Sequence, residues 1–230
     1  ADMTFGIGAY HRATAPEVSR MAALADELGF ESFWFVDSHL IFRELYVVLG
    51  AVAAVTKRIA IGPGVTYPLG RHPSVTASAV ATLAELAPGR VHLGMGIGSS
   101  GPRNMGASPV SLKELEESIR FIRELLAGRE AERDGKRMRL AFAGGEPVPL
   151  YVAAASDRTN RMSGRVADGA IMTAPMDGLA ASVMAVREGE RETGRPPGSV
   201  KTMLHVPCCL DDDAAVARAS VRGMVARLAM

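Results

Sequence analysis

Two residues that can move protons follow an apolar segment near the start of the chain. Asp37 and His39 come directly after the run SFWFV, residues 32–36, which is typical of a strand covered on both faces of a sheet. A carboxylate and an imidazole can act as general acid and base near neutral pH. A histidine at a strand end can equally make a structural hydrogen bond, so the local sequence leaves both interpretations open.

A glycine-rich segment is the second candidate. In LGMGIGSSG, residues 93–101, glycine recurs at every second position, and Gly96 and Gly98 precede Ser99. Glycine lets a flat ligand approach the backbone because no Cβ stands in the way. Tight packing between strands explains the same glycines equally well.

A third candidate, AAASDRTNR, covers residues 153–161. Small residues end an apolar run here, and Ser156 can cap the helix that follows. The free N–H groups at the start of a helix bind phosphate groups. An ordinary capped helix with two solvated arginines is the alternative explanation.

Alternating strands and helices must position these residues. The predicted strands are 4–9, 32–36, 58–65, 91–97, 149–154, 169–173 and 201–207. The predicted helices are 17–30, 46–55, 74–86, 111–126, 158–166, 179–192 and 213–230. This order predicts an α/β fold with parallel strands and right-handed crossovers. The polar segment 128–145 reads as a hairpin-like surface insertion.

Two architectures fit this alternation, a doubly wound open sheet and a (β/α)8 TIM barrel, and the repeat count favours the barrel. A barrel needs eight strands, and seven are visible, so the eighth β/α unit is expected to be missing from a single domain over 1–230. In both architectures, ligands bind beyond the carboxyl ends of the strands. Tyr10, His11 and Thr173 stand at such positions.

Composition excludes several classes of protein. The chain has 230 residues, with 26 Lys and Arg against 25 Asp and Glu, and this balance is not that of a nucleic-acid binder. No apolar window is long enough to span a membrane, and no cluster has metal-ligand spacing. Cys208 and Cys209, the only cysteines, are predicted at a buried strand end. Two cysteines make no disulfide framework, which favours a cytoplasmic protein.

Four segments together resemble a known family. They are FESFWFVDSHL, RIAIGPGVTYPLGRHPSVTASAVATLAELAPGRVHLGMGIGSSGPRNMG, ELEESIRFIRELLAG and VPLYVAAASDRTNRMSGRVADGAIM. In this order and spacing, from Phe5 to about Arg218, they resemble the luciferase-like flavin- and deazaflavin-dependent oxidoreductases. They are most similar to the methylenetetrahydromethanopterin reductase branch, which uses coenzyme F420. The resemblance implies a (β/α)8 barrel with the coenzyme at its C-terminal mouth.

The resemblance also implies roles for individual residues. A non-prolyl cis peptide bond that backs the deazaflavin ring falls between Gly64 and Val65. Asp37 lies close to the ring, and His39 is the candidate acid on the substrate side. The implied cofactor-binding residues are Gly64, Val65, Gly96, Gly98, Ser99, Ala154, Ala155, Ser156 and Thr173, with phosphate held by 154–156 and Thr173. Ser99 stands where the family usually has an acidic residue that can donate a proton.

The expected function is hydride transfer between coenzyme F420 and a small organic substrate. One alternative is an FMN-dependent luciferase-like monooxygenase, although the GPGVT segment resembles the deazaflavin branch more. Another alternative is a non-catalytic flavin- or deazaflavin-binding protein, because Ser99 replaces an acid and the eighth unit is missing. A homodimer is expected from the resemblance, and the nearly all-apolar helix 74–86 is an indirect hint of one.

Overall fold

A computed structural model of the chain describes residues 3–9 and 13–228. Tyr10 and His11, expected after the first strand, lie outside the described residues. The chain divides into two units, Ala1–Tyr151 and Val152–Met230. A single domain over the whole chain therefore stays a prediction, and the two units are described separately.

The first unit is built on parallel strands. β1 (Gly6–Ala9), β2 (Ser32–Phe35) and β3 (Ala60–Pro63) pair in that order. Two isolated bridges, Ile61 to Val91 and Thr66 to Met95, place β4 (Leu93–Met95) beside β3. Because these strands are parallel, the segments after β2, β3 and β4 emerge at one edge of the sheet.

Helices cover this framework. They are α1 (Ala15–Glu27), α2 (Leu45–Val55), α3 (Pro73–Leu86), α4 (Ser100–Asn104) and α5 (Leu112–Leu126). In α5, the fully buried Leu115, Ile119 and Ile122 recur at helical spacing. β5 (Ala131–Arg133) and β6 (Lys136–Met138) pair antiparallel, which confirms the predicted hairpin within the insertion.

β7 (Leu150–Ala154) crosses the boundary between the units. The second unit continues with α6 (Asp157–Val166), β8 (Gly169–Met172), a 3-10 turn (Met176–Gly178), α7 (Leu179–Glu192), β9 (Lys201–Leu204) and α8 (Ala214–Leu228). β8 and β9 are parallel. A Cβ at Gly164 would lie 2.1 Å from the Val186 carbonyl oxygen, and one at Gly189 2.0 Å from that of Arg161. Only glycine permits this close approach of α6 and α7.

The structure confirms the α/β class with parallel strands, and each of the seven predicted strands is present among the described residues. Most strands are shorter than predicted, and the short helix α4 was not predicted. One prediction was wrong: Cys208 and Cys209 are exposed in the segment beyond β9. The ladder ends at Leu204, so apolar residues after it are not held in a sheet. None of the described helices is both long enough and apolar enough to cross a membrane.

Candidate active site

Asp37 lies at the centre of a buried polar cluster in the first unit. Its side chain is only 8 % exposed. One carboxylate oxygen, Oδ2, accepts hydrogen bonds from Thr66 Oγ1 and from Arg71 Nη1, both at 2.6 Å. The other oxygen, Oδ1, accepts none from the residues that the structure describes. The carboxylate is thus fixed through one oxygen and keeps the other as an acceptor.

Arg71 connects Asp37 to a second carboxylate. Its Nη2 donates to Glu44 Oε1, and its guanidinium lies 5.1 Å from the centre of the Tyr46 ring. The other oxygen of Glu44 accepts from the backbone N–H of Val47 at 2.9 Å and so caps α2. Burial opposes the charge of Arg71, but the adjacent Asp37 and Glu44 carboxylates outweigh it and raise the pKa of Arg71.

Two tyrosines adjoin this cluster as neutral phenols. Burial, and then the Asp37 carboxylate, raise the pKa of Tyr67. Burial likewise raises the pKa of Tyr46 far above its ordinary value. Neither phenol therefore loses its proton near neutral pH, and each keeps an O–H donor.

The segment after Asp37 is tied to α4. Ser38 Oγ lies 2.6 Å from Ser100 Oγ, and Asn104 Nδ2 donates to the His39 carbonyl oxygen at 2.7 Å. The backbone of His39 is thereby held, while the residue itself is exposed. His39 is two residues from Asp37 in the chain, but among the described residues no hydrogen bond or ion pair joins the two side chains. Its role as an acid stays a prediction.

The peptide bond between Gly64 and Val65 is cis, as the resemblance implied. Gly64 is buried, and a Cβ there would lie 2.7 Å from Trp34 Cβ. The Trp34 ring stacks in turn on the His92 ring, with centroids 5.3 Å apart. Val65 is half-buried.

The glycines after β4 are engaged in packing. The N–H of Gly96 donates to the Thr66 carbonyl oxygen at 2.9 Å. Gly98 has a φ of +84°, and a Cβ there would lie 2.6 Å from Pro102 Cγ. The contact with Pro102 favours the packing explanation for Gly98, and the role of both glycines toward a coenzyme stays a prediction. Ser99 is exposed immediately before α4.

In the second unit, the structure brings the predicted phosphate-binding residues together. The N–H of Thr173 donates to the Ala154 carbonyl oxygen at 3.1 Å. Ser156 caps the start of α6: its Oγ lies 2.6 Å from Thr159 Oγ1 and accepts from the Thr159 N–H at 3.4 Å. Ala155 and Ser156 are exposed, so small side chains surround the start of the helix.

Sequence reasoning missed four residues at strand ends. In the first unit, Asp37 is bonded to Thr66 and Arg71, and Arg71 is bonded in turn to Glu44. In the second, His205 follows β9 and donates its N–H to the Met172 carbonyl oxygen at 2.9 Å. Burial lowers the pKa of His205, so its imidazole is neutral at neutral pH. The lone arginine in GPGVTYPLGRHP, in the loop that follows the predicted third strand, was the signal available for Arg71.

Polar side chains at the carboxyl ends of parallel strands are the usual ligand sites of α/β proteins. Residues 3–230 match the luciferase-like monooxygenase family model, and the chain belongs to this family. This confirms the resemblance drawn from the sequence. Among the described residues, no group of three or more His, Cys, Asp or Glu is placed to hold a metal ion.

Individual relatives carry the names of F420-dependent enzymes. A 5,10-methylenetetrahydromethanopterin reductase of Methanolobus tindarius is 33 % identical, and the match covers 97 % of this chain and 71 % of the relative. An F420-dependent glucose-6-phosphate dehydrogenase of Nakamurella multipartita is also 33 % identical, with 86 % and 64 % covered. The chain thus spans about two thirds of the length of these relatives.

A solved structure agrees with the fold. The coenzyme F420-dependent tetrahydromethanopterin reductase from Methanopyrus kandleri superposes with a TM-score of 0.85 at 26 % identity, covering 100 % of this chain and 73 % of that one. This agreement confirms the predicted fold class.

Proposed function

We propose that the chain is an F420-dependent oxidoreductase that transfers a hydride between coenzyme F420 and a small organic substrate. The observation that carries the proposal is the Asp37 carboxylate, which is nearly buried and holds one oxygen free of described partners. The names of the similar reductases and dehydrogenases support the same coenzyme. A bound deazaflavin supplies the hydride chemistry, and the protein supplies binding and orientation.

The residues present fit such a coenzyme in the first unit. A flavin-like ring carries N–H donors, and Asp37 Oδ1 is an acceptor of the matching kind. We assign Gly64, Val65 and Gly96 to the surroundings of the ring, because they lie at the strand ends beside Thr66. Gly98 and Ser99 follow the same strand end.

The second unit offers groups of the kind that bind a phosphate. Two exposed small residues, Ala155 and Ser156, directly precede α6. The first N–H groups of a helix attract anions, so a phosphate group is favoured at this end. Ala154 and Thr173 are hydrogen-bonded beside this turn. We assign these four residues to the coenzyme phosphate.

His39 is the residue we assign to proton transfer on the substrate side. Its exposed imidazole can exchange protons with solvent, while Asn104 holds its carbonyl oxygen. An imidazole nitrogen can both release and take up a proton, which suits a general acid. Ser99 has no ionisable group to take this role.

The proposed substrate is a compound like methylenetetrahydromethanopterin, which would accept the hydride at a carbon atom. The support is the similarity to reductases with that substrate in their names, over 97 % of this chain for the Methanolobus tindarius protein. A sugar phosphate is the competing substrate, because the F420-dependent glucose-6-phosphate dehydrogenase is equally identical over a smaller share.

Equilibrium binding of coenzyme F420 and of FMN, side by side, tests this function. Both ligands fluoresce, so quenching reports each affinity in the same protein. We expect tight binding of F420 and weak binding of FMN, followed by turnover with one of the two substrates. Tight FMN binding with oxygen uptake would instead indicate a monooxygenase. Tight F420 binding without any turnover would indicate a non-catalytic binding protein.

We also propose that the protein is a cytoplasmic homodimer. The segment of α2, LYVVLGAVAAV, has no charged residue, yet Val47 is 71 % and Val55 50 % exposed. On the neighbouring α3, Val75 and Leu86 are more than half exposed. Exposed apolar faces of this kind mark interaction surfaces.

Sedimentation equilibrium tests the dimer. Val47→Glu is expected to give a monomer, because it places a charge on the apolar face of α2. Phe142→Glu, at a half-exposed apolar residue of the insertion, is the matched control and should leave the dimer intact. A monomeric unmodified protein would contradict the proposal.

A further inference from the structure

The geometry points to Arg71 as a positioning residue for the proposed reaction. We propose that Arg71 holds the Asp37 carboxylate through Oδ2, so that Oδ1 stays available to accept a hydrogen bond from the bound coenzyme. The inference rests on the proposed function and adds a residue to its machinery.

Both side-chain donors to Asp37 converge on one carboxylate oxygen. Thr66 Oγ1 and Arg71 Nη1 each lie 2.6 Å from Asp37 Oδ2. A charge-assisted bond of this length is among the stronger hydrogen bonds in proteins. No backbone N–H from the described residues donates to Asp37, so its orientation depends on these two side chains.

Arg71 is itself held from both sides. Its other amino group donates to Glu44, and its guanidinium lies over the Tyr46 ring. The Arg71 side chain is only 20 % exposed. A guanidinium has five donors in a rigid planar fork, so each of its two amino groups can donate to a different carboxylate at a fixed angle. Glu44 is in turn fixed as the cap of α2.

The cluster of Asp37, Arg71 and Glu44 also has a net charge of a definite sign. Arg71 carries one positive charge against the two carboxylates of Asp37 and Glu44, which leaves one net negative charge. A cluster of this sign favours N–H and O–H donors and disfavours phosphate. It therefore suits the ring of the coenzyme and not its phosphate.

An exposed arginine beside another carboxylate shows the contrast. Arg58 Nε lies 3.6 Å from Asp26, but the Arg58 side chain is 72 % exposed, and three backbone N–H groups already hold that carboxylate. Arg58 therefore contributes little to the orientation of Asp26. This makes Arg58→Gln a matched control for Arg71→Gln.

The test is a double-mutant cycle of coenzyme F420 affinity with Arg71→Gln, Asp37→Asn and the double variant. Each single variant should weaken binding by about 10-fold or more, which is typical of losing a hydrogen bond to a charged group. The double variant should be no weaker than the weaker single one, because both changes remove the same interaction. Arg71→Lys should restore part of the affinity, and Arg58→Gln should bind like the unmodified protein.

Three outcomes would overturn the inference. They are affinities in Arg71→Gln equal to the unmodified protein, independent effects that multiply in the double variant, and an Arg71→Lys variant no better than Arg71→Gln. If Arg71→Gln does not fold by circular dichroism, Thr66→Val, which removes the other donor to Oδ2, takes its place in the cycle. Absence of F420 binding by the unmodified protein would instead contradict the proposed function and the inference with it.

Discussion

Buried carboxylates at the two ends of the strands are satisfied by different groups. Asp26, in α1, accepts backbone N–H groups from Lys57 at 2.6 Å and from Ile59 at 3.0 Å, in the segment that leads into β3. Glu190 lies before β9 and accepts backbone N–H groups from Val200 at 2.7 Å and from Gly198 at 2.9 Å. Each carboxylate fixes the segment that leads into a strand.

Asp37, by contrast, follows β2, and among the described residues it accepts from two side chains, Thr66 and Arg71, and from no backbone N–H. Backbone donors bind a carboxylate to the main chain and make its loss a loss of stability. Side-chain donors orient a carboxylate while leaving an oxygen for a ligand. The comparison teaches that burial alone does not separate structural from functional carboxylates in this chain, whereas the kind of donor does.

Glu190→Ala is expected to have the largest effect. The side chain is fully buried, and its removal leaves two backbone N–H groups without this acceptor and breaks the ion pair with Arg187, whose Nη1 also donates to the Val200 carbonyl oxygen. The free energy of unfolding should fall by about 3 kcal/mol, measured by urea denaturation. Glu188→Ala, at a half-exposed ion pair with Arg161, is the control and should cost much less. Equal losses in the two variants would remove the structural role of Glu190.

Asp37→Asn is expected to lower kcat/KM for coenzyme F420 by about 10-fold or more, with a smaller loss of stability than Glu190→Ala. An amide keeps the shape of the side chain but loses the charge that pairs with Arg71. Steady-state kinetics and urea denaturation on the same preparation check the two parts. Unchanged kinetics would count against a functional Asp37, and a stability loss as large as that of Glu190→Ala would break the comparison.

The pH dependence of stability is expected to depend on Asp26. Burial opposes the charge of Asp26, but the three N–H groups outweigh it and hold the pKa of this carboxyl below its ordinary value. Its contribution is therefore fully present above the unfolded value of about 4 and is lost as the pH falls through the folded value. Unfolding midpoints between about pH 5 and pH 2 should fall less steeply in Asp26→Asn. A slope identical to that of the unmodified protein would contradict this.

Arg129→Gln is expected to have the smallest effect. Arg129 Nε lies 2.6 Å from Glu124 Oε2, as close as the pair of Asp37 and Arg71, yet both groups are largely exposed. Surface ion pairs contribute little because water screens them. Thermal unfolding and F420 affinity should both match the unmodified protein. A clear change in either would show that the length of an ion pair matters more than its burial.

Local sequence patterns determined much of the framework. The alternation of apolar runs and amphipathic segments predicted the seven parallel strands, and the polar stretch predicted the hairpin of β5 and β6. At the start of α1, Glu17 Oε2 accepts from the Thr14 N–H at 2.7 Å, a bond between residues three apart in the chain. Such patterns are readable because their interactions close within a few residues. The family resemblance added the position of the cis bond between Gly64 and Val65.

The tertiary structure alone decided how the polar groups pair. Arg71 is 34 residues from Asp37 and 27 from Glu44, and neither spacing has a signature in the sequence. Gly98, which suited a ligand or packing equally in the sequence, is packed against Pro102, and the Gly96 N–H donates to the Thr66 carbonyl oxygen. Periodicity shows which face of an element is buried, but a side-chain donor finds its acceptor only when parallel strands bring distant loops to the same edge.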